Sequence, residues 1–342
     1  MQLLLIGAIN LSNSPNGGED YKNQLILEKL IHSSAEKINV IDTYNWKDKP
    51  LLIAKLFQNL LFKQFDSVVI SASSASTYLL LKIITKIKPS ILQKTHYLVI
   101  GGYFPEGIKS NRYDWKIYEN LKSVVVEGEM LKEQLLNYSK LKNIRVIPNF
   151  KKFESKLSLK EKESNVFKFV FIGRISKGKG ILVIMEAANL LKVNKPSLDF
   201  QVDFYGPIEE EIKLPEDLPL IYKGYLDIMI NQQVSYEILA EYSCMLFPTY
   251  WQGEGFPGVI IDAYLAGLPV IATDWNMNKE VVEDGKTGII IPIKDAKALA
   301  SAMLKMMENP EMVAIMSQNS LNKAKDYHID AVWPQIESLL TN

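Results

Sequence analysis

Residues 248–273 read PTYWQGEGFPGVIIDAYLAGLPVIAT and follow the apolar run Cys244-Met245-Leu246-Phe247. The apolar run reads as a strand that stops at Pro248. A glycine-bearing loop follows, then a short helix from about Gly258 to Gly267, and a strand resumes at Pro269. Glycines allow close backbone approach to a ligand, and proline suits an opening helical turn.

The same alternation extends both ways along the chain. After residue 152, strands are expected near 167–172, 199–205, 219–222, 245–248, 269–273 and 288–292. Helical patterns lie at about 179–193, 233–243, 258–266, 295–307 and 311–325. The first half carries its own series, with strands at 2–7, 38–42, 67–71, 97–101, 123–126 and 144–147. Its helices are expected at about 18–33, 51–65, 75–88, 113–120 and 129–139. Such order gives parallel sheets covered on both faces, so the expected class is α/β with two doubly wound, Rossmann-like domains. The charged segment KKFESKLSLKEKESN (151–165) has no apolar face and marks the boundary. The expected domains are 1–152 and 153–329. The place of the last helical pattern, 330–341, stays open between packing back on the first domain and elsewhere.

The chain has 342 residues, 39 basic and 39 acidic, so its formal net charge is zero. That balance argues against a nucleic-acid binder. The zero hides two unlike halves: residues 1–152 carry 21 basic and 13 acidic side chains, and residues 153–342 carry 18 and 26. The single cysteine, Cys244, excludes a disulfide framework and any multi-cysteine metal site. The opening MQLLLIGAIN lacks a basic lead and reads as a strand. With no long uninterrupted apolar run, the chain is expected to be cytoplasmic. LLIAKLFQNLLFKQF (51–65) and LLLKIITKIKPSILQK (79–94) are basic segments with apolar faces. They read as packed helices with solvated lysines, or as a face for an anionic membrane at the inner side of the plasma membrane.

In doubly wound sheets ligands sit beyond the carboxyl ends of the strands, at helix N-termini. Three such loops stand out. FIGRISKGKGI (171–181) places Gly173, Arg174 and Lys179 where a strand hands over to a helix. Free N–H groups with a guanidinium and an ammonium suit a diphosphate. The loop nearly spells a P-loop, but Gly180 stands where magnesium would need a Ser or Thr hydroxyl, which disfavours an ATPase. In the second loop, Glu254 is not a core residue. A carboxylate there can accept hydrogen bonds from sugar hydroxyls, and Asp262, eight residues on, can reach a second set such as a ribose diol. Both also suit the helix dipole. The third loop, SNSPNGGEDYKNQL (12–25), offers Gly17 and Gly18 for close backbone approach. It is not G-x-G-x-x-G, so a dinucleotide dehydrogenase has little support.

At these residues the chain resembles the retaining GT-B glycosyltransferases of family 4 (glycosyl transferases group 1). Gly173-Arg174 with Lys179-Gly180 looks like that family's basic diphosphate clamp, and Glu254 with Asp262 like its E-x7-E motif with a shortened second acid. RVIPNF (145–150), GEMLKEQL (128–135) and EVVEDGKTGIIIP (280–292) resemble further family segments.

The resemblance implies a UDP- or GDP-linked sugar donor held by the second domain and a glycan or lipid-linked acceptor held by the first. It implies no metal, no separate cofactor and a role in bacterial surface polysaccharide synthesis. Arg174 and Lys179 would neutralise the leaving diphosphate and Glu254 would contact the donor sugar. Gly255, Phe256, Pro257, Gly258 and Val259 would contribute backbone groups, and Asp262 would hold the ribose. Gly17 and Gly18 would lie near the diphosphate, and Gly206 and Tyr222 near the nucleoside. Many relatives carry a His in a first-domain loop where this chain reads VIGGYFPEG (99–107). Tyr103 and Glu106 are the acceptor-side candidates there. His32, His96 and His328 read as structural. A catalytically silent nucleotide-sugar binder and a GT-B epimerase are the alternatives.

Overall fold

Short runs rich in Val, Ile and Leu favour extended backbone, and here every strand pair among the described residues is parallel. The computed structural model describes residues 1–15, 17–33, 37–49, 51–153, 166–209, 211–229 and 231–341. The charged segment read as the domain boundary falls largely on 154–165, outside the described residues.

The first unit comprises Met1–Lys152 and His328–Asn342. Its elements run β1 (Gln2–Gly7), α1 (Gly18–His32), β2 (Lys37–Asp42), α2 (Leu51–Phe62), β3 (Ser67–Ala72) and α3 (Ser74–Ile87). They continue with β4 (Thr95–Val99), α4 (Phe104–Lys109), α5 (Trp115–Glu119), β5 (Ser123–Val126), α6 (Glu129–Tyr138) and β6 (Ile144–Val146). The sheet order is β2-β1-β3-β4-β5-β6.

The second unit, Phe153–Tyr327, contains β7 (Phe167–Ile172), α7 (Ile181–Asn194), β8 (Phe200–Tyr205), β9 (Leu220–Gly224), α8 (Gln232–Leu239) and β10 (Cys244–Phe247). It continues with α9 (Gly258–Leu265), β11 (Val270–Thr273), α10 (Asn278–Val281), β12 (Gly288–Ile291), α11 (Ala296–Glu308) and α12 (Pro310–Ala324). Its order is β12-β11-β10-β7-β8-β9, so the winding reverses between β7 and β10. That reversal is where a doubly wound sheet binds its ligand.

The last helix, α13 (Ile329–Thr341), whose place the sequence leaves open, packs in the first unit. Ile329, Val332, Trp333, Ile336 and Leu340 join the core of Leu3, Leu5 and Ile26. Each such side chain contributes roughly 1.5–3 kcal/mol by leaving water. The helix also brings Asp330 and Glu337, so the first unit holds 21 basic and 15 acidic residues rather than 21 and 13.

Two helices differ from expectation. Phe104–Lys109 is helical where none is expected, because Pro105 opens it and its Phe104 and Ile108 are buried. Asn278–Val281 is one further turn, too short for a periodic signal.

His96, on β4, is 1% exposed and its Nδ1 lies 2.8 Å from Ser123 Oγ. Burial, aided by the charge of Lys122, pushes its pKa down to about 4. The unfolded chain therefore takes up a proton below pH 6.5 that the folded chain refuses until about pH 4. Stability is expected to fall by ~3 kcal/mol through this group as the pH drops across that window. Urea unfolding of the first unit across pH should show the slope, and His96→Asn should flatten it. Parallel wild-type and variant profiles would remove His96 as the cause.

Candidate active site in the second unit

The site grows from the ends of β7 and β10, on either side of the reversal. After β7 the chain passes Gly173, whose N–H donates to Tyr205 O at 2.9 Å. Ile175 is fully buried and its N–H donates to Pro207 O at 2.8 Å. These bonds pin the loop to the strand beside it and leave Arg174 exposed. A single tight turn, Lys177–Lys179, then leads to Gly180 with φ +83° and ψ 18°, and α7 begins. A Cβ at Gly180 would sit 2.1 Å from Pro248 O, so only glycine lets the start of α7 approach the end of β10 this closely.

On the β10 side, Tyr250 N–H donates to Gly178 O at 2.9 Å and fastens the second loop to the first. Asn276 Nδ2 donates to Glu254 O at 2.8 Å and Trp275 Nε1 to Trp251 O at 2.8 Å. The Glu254 carboxylate thereby meets Lys179, with Nζ to Oε2 at 2.5 Å, and Thr249 Oγ1 donates to the same oxygen at 3.0 Å. Both charged side chains are largely buried, at 21% and 12% exposed, so their attraction is little screened. Arg174, Lys179 and Glu254 together line a cavity of about 340 Å³ with Ser176, Trp251 and Gly253. Lys177, by contrast, points outward and pairs with Glu211 at 3.1 Å.

The other candidates are distributed differently. Gly206 has φ +131°, and a Cβ there would lie 2.1 Å from Gly173 O. Tyr222 Oη donates to Gly206 O at 3.1 Å, so Gly173, Gly206 and Tyr222 form one cluster at the ends of β7, β8 and β9. Gly255 adjoins Glu254. Pro257 is the residue just ahead of α9, and Gly258 and Val259 are its first two, whose N–H groups have no partner one turn back within the helix. Phe256 turns its ring inward, 8% exposed and edge-on to Tyr327 at 5.4 Å, so only its backbone remains for a ligand.

Asp262 is 3% exposed and accepts a hydrogen bond from Tyr236 Oη at 3.0 Å. It sits beneath the surface rather than on the cavity wall. Gly17, Gly18, Tyr103 and Glu106 belong to the first unit. Gly17 N–H donates to Asp20 Oδ1 at 2.8 Å as part of the cap of α1. Tyr103 is half-exposed at the start of α4, and Glu106 lies 3.8 Å from Lys109.

Sequence reasoning missed Thr249, Ser176, Trp251, Asn276 and Tyr236. Thr249 carried a signal, because it follows the strand-stopping Pro248 in the loop that bears Glu254. Tyr236 carried none, since it lies 26 residues from Asp262. Among the described residues no group of three or more His, Cys, Asp or Glu side chains is arranged to hold a metal ion.

Residues 166–309 match the family model described as glycosyl transferases group 1. The capsular polysaccharide biosynthesis glycosyltransferase CapM of Staphylococcus aureus is 26% identical over 235 residues, 65% of this chain and 60% of its own length. The UDP-Gal:alpha-D-GlcNAc-diphosphoundecaprenol alpha-1,3-galactosyltransferase of Escherichia coli is 29% identical over 192 residues, 53% of this chain and 49% of its own. The chain spans about half the length of the curated relatives it matches, 44% to 60% for the first three. The crystal structure of Anabaena HepE in complex with UDP superimposes with a TM-score of 0.70 at 17% identity, covering 100% of both chains. The fold is GT-B. Both sheets, with their helices, follow the GT-B pattern, and the matched relatives support a glycosyltransferase.

Proposed function

We propose that the chain is a retaining glycosyltransferase of family 4. It moves a hexose from a UDP- or GDP-linked donor to a glycan or lipid-linked acceptor in surface polysaccharide synthesis. The observation that carries this reading is the convergence of Arg174, Lys179 and Glu254 on one cavity at the reversal of the second sheet. HepE binds UDP, and the E. coli relative is named for a diphosphoundecaprenol acceptor, which supports the donor and acceptor classes.

Breaking the glycosidic bond builds negative charge on the leaving diphosphate. Arg174 and Lys179, which line the same cavity, stabilise that charge, which is the largest catalytic device on this wall. Glu254 accepts hydrogen bonds from the donor sugar when Lys179 turns to the phosphate. Gly255–Val259 offer N–H groups at the head of α9. Asp262, held by Tyr236, takes the ribose diol directly or through water. Gly173, Gly206 and Tyr222 border the nucleoside, and Gly17 and Gly18 are the first unit's backbone candidates for phosphate. Tyr103 and Glu106 serve the acceptor. The chemistry needs no metal and no separate cofactor. The leaving phosphate oxygen takes the acceptor proton on the same face, so the anomeric configuration is retained.

Thermal-shift screening against UDP- and GDP-sugars, followed by transfer to lipid-linked acceptors, identifies the pair to assay. The product's anomeric signal by NMR should then match the donor's configuration. An inverted linkage would overturn retention, and sugar conversion without acceptor would replace transfer by epimerisation.

A further inference from the structure

Helix α2 departs from the usual build of a surface helix. Leu56, Asn59 and Leu60 are its buried face. The opposite face of such a helix ordinarily carries charge. Here Leu51, Ile53, Phe57, Leu61 and Phe62 are exposed, with Leu51 at 79% and Phe62 at 81%. Trp46, just ahead of the helix, is also exposed, and the neighbouring α3 exposes Leu79. Leaving this much apolar surface in water is costly, and exposed apolar side chains gathered on one helix mark an interaction site.

The charges in this stretch are mainly positive. Residues 47–94 contain eight lysines against two acids, Asp48 and Asp66. Four of the lysines serve the fold. Lys49 pairs with Asp42 at 3.2 Å and Lys63 donates to Asn39 Oδ1 at 2.7 Å. Lys88 and Lys94 donate to the carbonyls of Leu60 and Phe65 at 2.8 and 2.9 Å. Lys55, Lys82 and Lys86 are exposed and form no ion pair among the described residues. An apolar ridge beside three solvated ammonium groups is complementary to a surface with acyl chains below and anionic headgroups above.

We propose that α2 and the adjoining face of α3 dock this chain on an anionic lipid bilayer. Leu51, Phe57, Leu61 and Phe62 enter the acyl boundary while Lys55, Lys82 and Lys86 meet the headgroups. A second copy is a poorer occupant, because a two-fold contact would set the same cations against each other. No described helix is long and apolar enough to cross a membrane, so the contact is with the bilayer surface. This inference stands on the surface of the first unit and does not depend on the glycosyl-transfer reading.

The test is flotation of the full chain with vesicles of phosphatidylcholine alone or mixed with phosphatidylglycerol. Binding to the anionic vesicles should be at least about tenfold tighter and weaken with salt. Lys55→Glu with Lys86→Glu should weaken it by about tenfold or more, and Leu51→Ser with Phe62→Ser should abolish it. All four side chains are exposed, so melting temperatures should stay at the wild-type value. Should the serine pair fail to fold, the glutamate pair and the salt dependence still decide. Equal binding to both vesicles, or none, would overturn the proposal. So would a dimer in sedimentation that the serine pair dissolves while wild-type chain leaves vesicles untouched. Donor binding in vesicle-free buffer should be unaffected by any of these variants, which separates a failure here from a failure of the transfer reading.

Discussion

Replacing Arg174 and Lys179 together by alanine is expected to lower donor turnover by about 10²–10⁴-fold. On the proposed reading each cation would make a charge-assisted contact with the leaving diphosphate worth ~1.5–3 kcal/mol, and together they would supply ~3–6 kcal/mol of transition-state stabilisation. The folded protein should tolerate the loss. Arg174 is exposed and spends nothing on packing. Removing Lys179 leaves Glu254 with Thr249 as a donor at 3.0 Å, beside a cavity open to water. The measurement is single-turnover donor consumption alongside a melting curve. Activity within about tenfold of wild type, with an unchanged melting curve, would show that the clamp is not where charge develops.

Gly180→Ala is the second large effect, and it removes no functional group. The backbone at φ +83° costs an L-residue ~1–3 kcal/mol, and the new methyl would start 2.1 Å from the Pro248 carbonyl oxygen. The end of β10 must move off the start of α7, which pulls Thr249 and Glu254 away from Lys179. The second unit should lose ~2–5 kcal/mol of stability. Donor binding should fall with it even at temperatures where the unit is folded. A variant with wild-type melting and wild-type donor affinity would mean that the close approach of the two loops is dispensable.

Much of this arrangement is legible in residue order. Alternating apolar runs and amphipathic stretches give the twelve strands of the described residues to within one or two residues at each end, because a strand buried on both faces leaves a dense local signature. Pro248 and Gly267 mark where a strand and a helix stop, and Gly180 where a helix starts. Arg174, Lys179 and Glu254 stand out because they are charges in loops that follow strands, where burial does not explain them. Short helices such as Phe104–Lys109 are not legible, since six residues span too few turns to show a period. Nor is the ion pair between Lys179 and Glu254, which joins residues 75 apart. The sequence assigns those two side chains to different parts of a donor, and only the fold reveals that they hold each other. Asp262 is the sharpest lesson. Its spacing from Glu254 points to a ligand, while the fold buries it and sets it against Tyr236, on another helix.

The Lys179–Glu254 contact has a consequence for selectivity. The carboxylate occupies the ammonium as any incoming anion would, so an isolated phosphate must compete with a tethered, partly buried rival. A free sugar would meet the converse obstacle at Oε2 of Glu254, which already accepts from Lys179 and Thr249. A molecule bearing both a phosphate and a hydroxylated ring would compensate both partners in one event. Under the proposed donor reading, the resting ion pair would act as a coincidence detector. It would make the loop less responsive to fragments than to the intact conjugate.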